Sequence, residues 1–237
     1  MARDLRSREG PSDAYSEGPS RVPDRRSIHG HRRTSDGYRG PVTSAHASVG
    51  PVPRVAGLLL TPGAGADREH RTLLAVEHAV APLPVRRVDF PYRTAGRRLP
   101  DRAPVAVAHV CAEAEAFAEE LGVGTDRLVL GGRSYGGRMC SMAVAEGLPA
   151  AGLVLLSYPL HPPGKPGTLR VAHLPEVHVP VLAVSGEHDP FGTPEELALH
   201  LGTLGGPLTT VLVPGGHQPD GDAAVAAAVR DWLTTLG

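Results

Sequence analysis

Residues 52–237 predict a doubly wound α/β domain, a mostly parallel sheet of about six strands with helices on both faces. Three observations carry that expectation. Short apolar runs such as "VAGLLLT", "LVLGG" and "GLVLL" recur along the chain. They are apolar throughout rather than alternating, as in strands buried on both faces of a parallel sheet. Helical stretches separate them, so strand and helix alternate as βαβ units.

Each element follows in order. "VAGLLLT" (55–61) is the first strand and leads into the loop "PGAGAD". "REHRTLLAVEHAVAP" is a helix with Leu73, Leu74, Val76 and Val80 toward one side. "VRRVDFPY" (85–92) is a second strand, and "PVAVAHVCAEAEAFAEELG" is a helix stopped by Gly122. The third strand, 126–132, runs into "YGGRMCSMAVAEGL", a helix. "AGLVLLSYP" and "VPVLAVSGEHDP" are the fourth and fifth strands. "TPEELALHLGTLG" is a helix with Thr193 as its N-cap and Pro194 at its first position. "TTVLVPGGH" is the sixth strand and "DAAVAAAVRDWLTTLG" the closing helix. No internal repeat is visible, and no insertion is long enough for a large lid.

Residues 1–51 are of another kind: rich in Arg, Ser, Gly, Pro and Asp, with almost no aliphatic residues and no periodicity. Such a stretch buries too little apolar area to offset the entropy of ordering its backbone, so disorder is expected there.

Composition narrows the function. The net charge of −1 gives no electrostatic case for a nucleic-acid or membrane-surface partner. The longest apolar runs fall far short of the about 20 residues that span a bilayer, and no apolar stretch of a secretory signal opens the chain. Cytoplasm is the expected location. The two cysteines, Cys111 and Cys140, fall in helices without metal-type spacing and are expected to be buried, reduced thiols. Neither a P-loop nor a G-x-G-x-x-G pattern occupies the first loop, and no metal-ligand cluster is visible, so no cofactor is expected. A small-molecule substrate is the expected partner, and oligomeric state is not legible.

In open parallel sheets chemistry gathers at the carboxyl ends of the strands. "GGRSYGG" places Ser134 between the third strand and its helix, in a G-x-S-x-G match through Gly132 and Gly136. Small residues two positions either side let the backbone fold sharply enough to lift a serine out of the turn. A serine hydroxyl needs an adjacent base, and the base needs an orienting acid. In this architecture the chain order is serine, acid, histidine. Asp189 follows the fifth strand and His217 the sixth, which fits that order. Glu187, Asp220 and Asp222 compete for the acid; His161 and His188 compete for the base. The amide of Tyr135, opening the helix, is the first expected oxyanion donor, and an amide of the Gly63–Ala64–Gly65 loop is the second, with Ala64 preferred.

These motifs together, "GGRSYGGR", "SYPLHPPGKP" and "VSGEHDPFG", resemble the KANL/Tex-type α/β-hydrolase-like family over roughly residues 55–235. That family includes bacterial hydrolases and a subunit of an animal histone acetyltransferase complex; more distantly the chain resembles the dienelactone hydrolases. The resemblance implies an α/β-hydrolase fold and a serine hydrolase with Ser134, Asp189 and His217 in the catalytic roles. Two positions depart from it: Gly216 stands where relatives often carry an acid, and Ser134 where dienelactone hydrolases use cysteine. Gly63, Arg133, His161 and Lys165, the only lysine, are the expected substrate contacts around the mouth. The expected activity is hydrolysis of small carboxylic esters through an acyl-enzyme. The alternative is a catalytically silent member used for binding, since some family members act as interaction modules.

Overall fold

The structure, a computed structural model, describes residues 55–237. The disorder expected for residues 1–51 lies outside the described residues. Six strands form one open sheet: β1 (Gly57–Thr61), β2 (Val85–Arg87), β3 (Leu128–Arg133), β4 (Gly152–Leu156), β5 (Val181–Gly186) and β6 (Leu208–Val213). Their order is β2-β1-β3-β4-β5-β6, and every pairing is parallel. The helices are α1 (Arg71–Val80), α2 (Pro91–Thr94), α3 (Ala103–Leu121), α4 (Tyr135–Ala145), α5 (Pro194–Leu201) and α6 (Asp222–Leu233).

The apolar runs divide by parity, as the two-residue period of a strand demands. Leu59, Leu128, Leu130, Leu153 and Leu155 enter one core cluster with residues of α3, α4 and α5. Leu58, Leu60, Val129, Val154 and Leu156 enter the other, with residues of α1 and α6. Burying each of these side chains fully stabilises the fold by about 1.5–3 kcal/mol. The two edge strands differ. β2 is only half-buried, and β6 is half-buried or exposed until Val213, as strands with a single neighbour can be.

The helix starts follow local chemistry. Thr193 caps α5 in a capping box with Glu196, and Pro194 occupies the first turn, as the sequence predicts. The second strand is shorter than the expected 85–92. It ends at Arg87, and Pro91 opens the short helix α2, because a proline fits a first helical turn but cannot donate to a sheet ladder.

The chain passes from β1 to β2 on one side, then returns to add β3 on the other side of β1. The carboxyl ends of β1 and β3 therefore flank a topological switch point, where α/β sheets open a crevice. Among the described residues no helix is long and apolar enough to cross a membrane.

Candidate active site

Ser134 sits in that crevice, between the last residue of β3 and the first of α4. Its backbone is left-handed, with φ 51° and ψ −114°, a costly conformation for a non-glycine residue. Ser157, after the neighbouring strand β4, is the one other described non-glycine residue with positive φ. The turn is possible only because its flanks lack side chains. A Cβ at Gly132 would press on the Thr61 hydroxyl and lie 2.6 Å from the Thr61 carbonyl oxygen. One at Gly136 would lie 2.5 Å from the carbonyl oxygen of Pro62. Gly137, not singled out by the motif, is as tightly bound, with its Cβ position 2.6 Å from the Gly132 carbonyl oxygen. The result is a serine whose hydroxyl is not spent on capping its own helix.

That hydroxyl instead meets a histidine. Ser134 Oγ lies 2.8 Å from Nε2 of His217, and Nδ1 of the same ring lies 2.9 and 3.0 Å from the two Asp189 carboxylate oxygens. Asp189 is 2% exposed, and its Oδ1 also accepts from the Phe191 amide at 2.9 Å. A buried carboxylate on Nδ1 fixes the tautomer that leaves Nε2 free to accept the serine proton. The Phe191 ring stacks on the imidazole with centroids 4.0 Å apart, which holds it flat.

The loops bearing the acid and the base are tied to each other by backbone. The Glu187 amide donates to the Val213 carbonyl and the His188 amide to the Gly215 carbonyl, both at 2.9 Å. Gly186 permits this approach, since a Cβ there would lie 2.5 Å from the Gly215 carbonyl oxygen. The competing residues resolve by position. Glu187, His188 and Asp220 are exposed. Asp222 accepts from the Thr72 hydroxyl and pairs with Arg71, joining α6 to α1.

The amide of Tyr135 is the first of α4, so no carbonyl within the helix lies one turn back to take it. In the loop after β1 the Gly65 amide donates to the Tyr92 hydroxyl, and the Ala66 amide to the Gly63 carbonyl. Ala64 lines the same cleft as Ser134 and Tyr135. The Tyr135 side chain itself is occupied: its hydroxyl donates to the Asp101 carbonyl at 2.7 Å, and its ring meets Phe90 edge-on. Burial pushes that hydroxyl's pKa up, so it stays protonated.

The expected substrate contacts separate. Arg133 lines the cleft, and its Nη2 donates to the His217 carbonyl at 2.9 Å, steadying the histidine loop. Gly63 is buried against Arg133 and Ser134. His161 is buried and faces α5 instead, with Nε2 3.2 Å from Glu196 and Nδ1 2.9 Å from the Pro162 carbonyl. Lys165 is exposed and does not line the cleft. Two arginines that sequence reasoning passed over, Arg138 and Arg170, do line it. The signal for Arg138 was present: four residues after Ser134 is one helical turn, hence the same side of α4.

The cleft has a volume of about 470 Å³. Among the described residues no cluster of three or more His, Cys, Asp or Glu side chains is placed to hold a metal ion. Cys140 is buried beneath β1 and β3, 3.5 Å from the Thr61 hydroxyl, and its thiol is pushed up to about 12 by burial. Cys111 is only half-buried, against the expectation that both thiols are buried, and burial raises its pKa too. Neither thiolate forms readily at neutral pH.

A parallel α/β sheet with serine, acid and histidine in that order after β3, β5 and β6 has a hydrolase-type architecture. A family model described as "Alpha/beta hydrolase domain" matches residues 54–218, and the chain belongs to that family. Among solved structures it is similar to Est1E from Butyrivibrio proteoclasticus with ferulic acid bound, at 16% identity and TM-score 0.61, covering 76% of this chain and 89% of that one. It is similar to the Bacillus cereus carboxylesterase at 19% identity and TM-score 0.58, covering 78% and 90%. It is also similar to the Paleococcus ferrophilus monoacylglycerol lipase at 16% identity and TM-score 0.58, covering 78% and 96%. A comparison with curated proteins gives no match.

Proposed function

We propose that the protein is a serine hydrolase that cleaves small carboxylic esters through an acyl-enzyme, and that within its family it stands nearest the KANL/Tex-type members. The observation that carries this reading is the unbroken hydrogen-bonded chain from Asp189 through His217 to Ser134, ending on a serine held in a strained turn. Ser134 Oγ attacks the acyl carbonyl while His217 Nε2 takes its proton; Asp189 holds the resulting imidazolium. The amides of Tyr135 and Ala64 receive the oxyanion. The imidazolium then returns its proton to the departing alcohol. Water, deprotonated by the same nitrogen, releases the acid and restores Ser134. Side chains, backbone amides and water suffice for each step.

A fluorophosphonate probe tests the reading, because it reacts with an activated serine and not with an ordinary hydroxyl. Wild-type protein should be labelled, the Ser134→Ala variant should not, and p-nitrophenyl acetate and butyrate should be turned over only by the former. A folded wild-type protein that neither takes the label nor hydrolyses these esters would sink it and favour a binding role for the fold.

A further inference from the structure

The wall of the cleft formed by α4 and the loop after β4 carries charge that nothing in the fold answers. Arg138 stands on α4 one turn beyond Ser134, its amide donating to the Ser134 carbonyl at 3.1 Å. Arg170 ends the proline-rich loop after β4. Its amide donates to the Leu160 carbonyl at 2.8 Å, and its own carbonyl accepts from the Tyr158 hydroxyl at 2.9 Å, so its backbone is fixed. Both side chains are half-buried and line the cleft that contains Ser134 and His217. None of the residues lining that cleft is acidic. Among the described residues neither guanidinium has an ion-pair or hydrogen-bond partner, and the buried Nε of Arg138 has no acceptor at all.

The two charges also act on each other and on their neighbours. Burial first, and then the Arg138 charge, pull the Arg170 guanidinium below its ordinary pKa. Burial first, and then Arg138 again, push His173 down to about 4, so this neighbour stays neutral at neutral pH. Two like charges kept partly out of water without a counter-ion cost stability, and an anion bound between them would relieve that cost. Guanidinium forks are suited to bidentate contact with a carboxylate or a phosphate.

We propose that Arg138 and Arg170 form a subsite for an anionic group carried by the substrate, so that the preferred ester is a negatively charged one, such as the half-ester of a short dicarboxylic acid. The proposal rests on the hydrolase reading above for its reaction and on the two arginines for its selectivity.

The test compares p-nitrophenyl esters of succinate, glutarate and adipate carrying a free carboxylate with the same compounds capped as methyl esters. Wild-type kcat/KM should favour the charged member by about 10- to 100-fold at the best length, the range expected of charge-assisted hydrogen bonds. Arg138→Gln or Arg170→Gln should bring that ratio close to one, and Arg170→Lys should restore part of it. Thermal melting separates this from a structural role: removing one of two repelling charges should leave Tm unchanged or raised, whereas a structural arginine would lower it. Free glutarate and inorganic phosphate, tested as competitive inhibitors, distinguish a carboxylate subsite from a phosphate subsite. A wild-type ratio near one, or a ratio unmoved in both glutamine variants, overturns the proposal even if ester hydrolysis is intact. If the protein hydrolyses no ester, calorimetry with monomethyl glutarate and with inorganic phosphate on the Ser134→Ala protein decides. Binding of either that is lost in Ser134→Ala/Arg138→Gln upholds the subsite, and binding of neither overturns it.

Discussion

The two walls of one cleft are built on opposite principles. Along the wall of Ser134, His217 and Asp189 the acting polar atoms meet inside the protein. The serine meets the imidazole, the imidazole the carboxylate, the carboxylate an amide, and the histidine carbonyl Arg133. Along the wall of Arg138 and Arg170 the charged groups meet nothing described. The serine–histidine–aspartate chain of the first wall is joined before any ligand arrives, although the buried Nε of Arg133 beside it has no partner, and groups already in place need no rearrangement when charge develops. The second is complete only with a ligand. A self-satisfied wall should fail when one of its own bonds is cut, and an unsatisfied wall should change with what is offered to it.

The largest expected effect comes from cutting the satisfied wall at its buried end. Asp189→Asn keeps the shape of the side chain but removes the charge on Nδ1, so the ring can present the wrong nitrogen to Ser134. Ester turnover should fall by about 10³- to 10⁴-fold in kcat. Steady-state kinetics, with thermal melting to confirm folding, measures it. A loss under tenfold would mean that the Asp189–His217 contact is not part of the chemistry and that the contrast between the walls is not functional.

Next in size is a test of stability rather than rate. Gly132→Ala puts a Cβ against the hydroxyl and carbonyl of Thr61 on the neighbouring strand β1, and the carbonyl is backbone that cannot swing aside. Overpacking against backbone should destabilise the fold by about 1–3 kcal/mol or more, read by denaturant unfolding. An alanine tolerated there without cost would show that the elbow has slack, and that the φ of Ser134 is not enforced by its neighbours.

This difference also explains what the sequence made legible. Strands, helices and the order serine, acid, histidine follow from local patterns: apolar runs, capping residues such as Thr193, and a glycine-flanked serine. The register of β1 against β3 and the resulting switch point are long-range facts that the motif does not carry, because a nucleophile elbow specifies only the strand before it and the helix after it. What also escaped is whatever depends on where a loop finally lies. Lys165 and Arg170 share the proline-rich loop after β4, and nothing in the local pattern favours the arginine over the lysine. Only the fixed backbone at Arg170, bonded to Leu160 and by Tyr158, turns that residue toward the cleft. His161 was open to the same error; its partner Glu196 lies 35 residues on, on α5. β2 was read too long because Val88 and Phe90 are buried core residues without being strand, and burial is what an apolar run reports.

The smallest expected effect concerns His173, which donates to or accepts from Ser141 Oγ at 2.7 Å beside the unsatisfied wall. Its folded pKa lies near 4 against an ordinary 6.5, chiefly through burial and secondly through Arg138. Between those values the unfolded chain binds the proton and the folded chain does not, so protonation favours unfolding there. The contribution is fully present above about pH 6.5 and is lost progressively as pH falls toward 4. In Arg138→Gln the secondary cause is gone, so His173 should titrate at a higher pH, followed by the chemical shift of its imidazole Cε1 proton. Its acid-side loss of stability should begin at the same pH but level off sooner. An unchanged His173 titration in that variant would mean that water already screens Arg138. Its charge would then be solvated rather than held for a ligand, and the contrast between the two walls would shrink to one of hydrogen bonding alone.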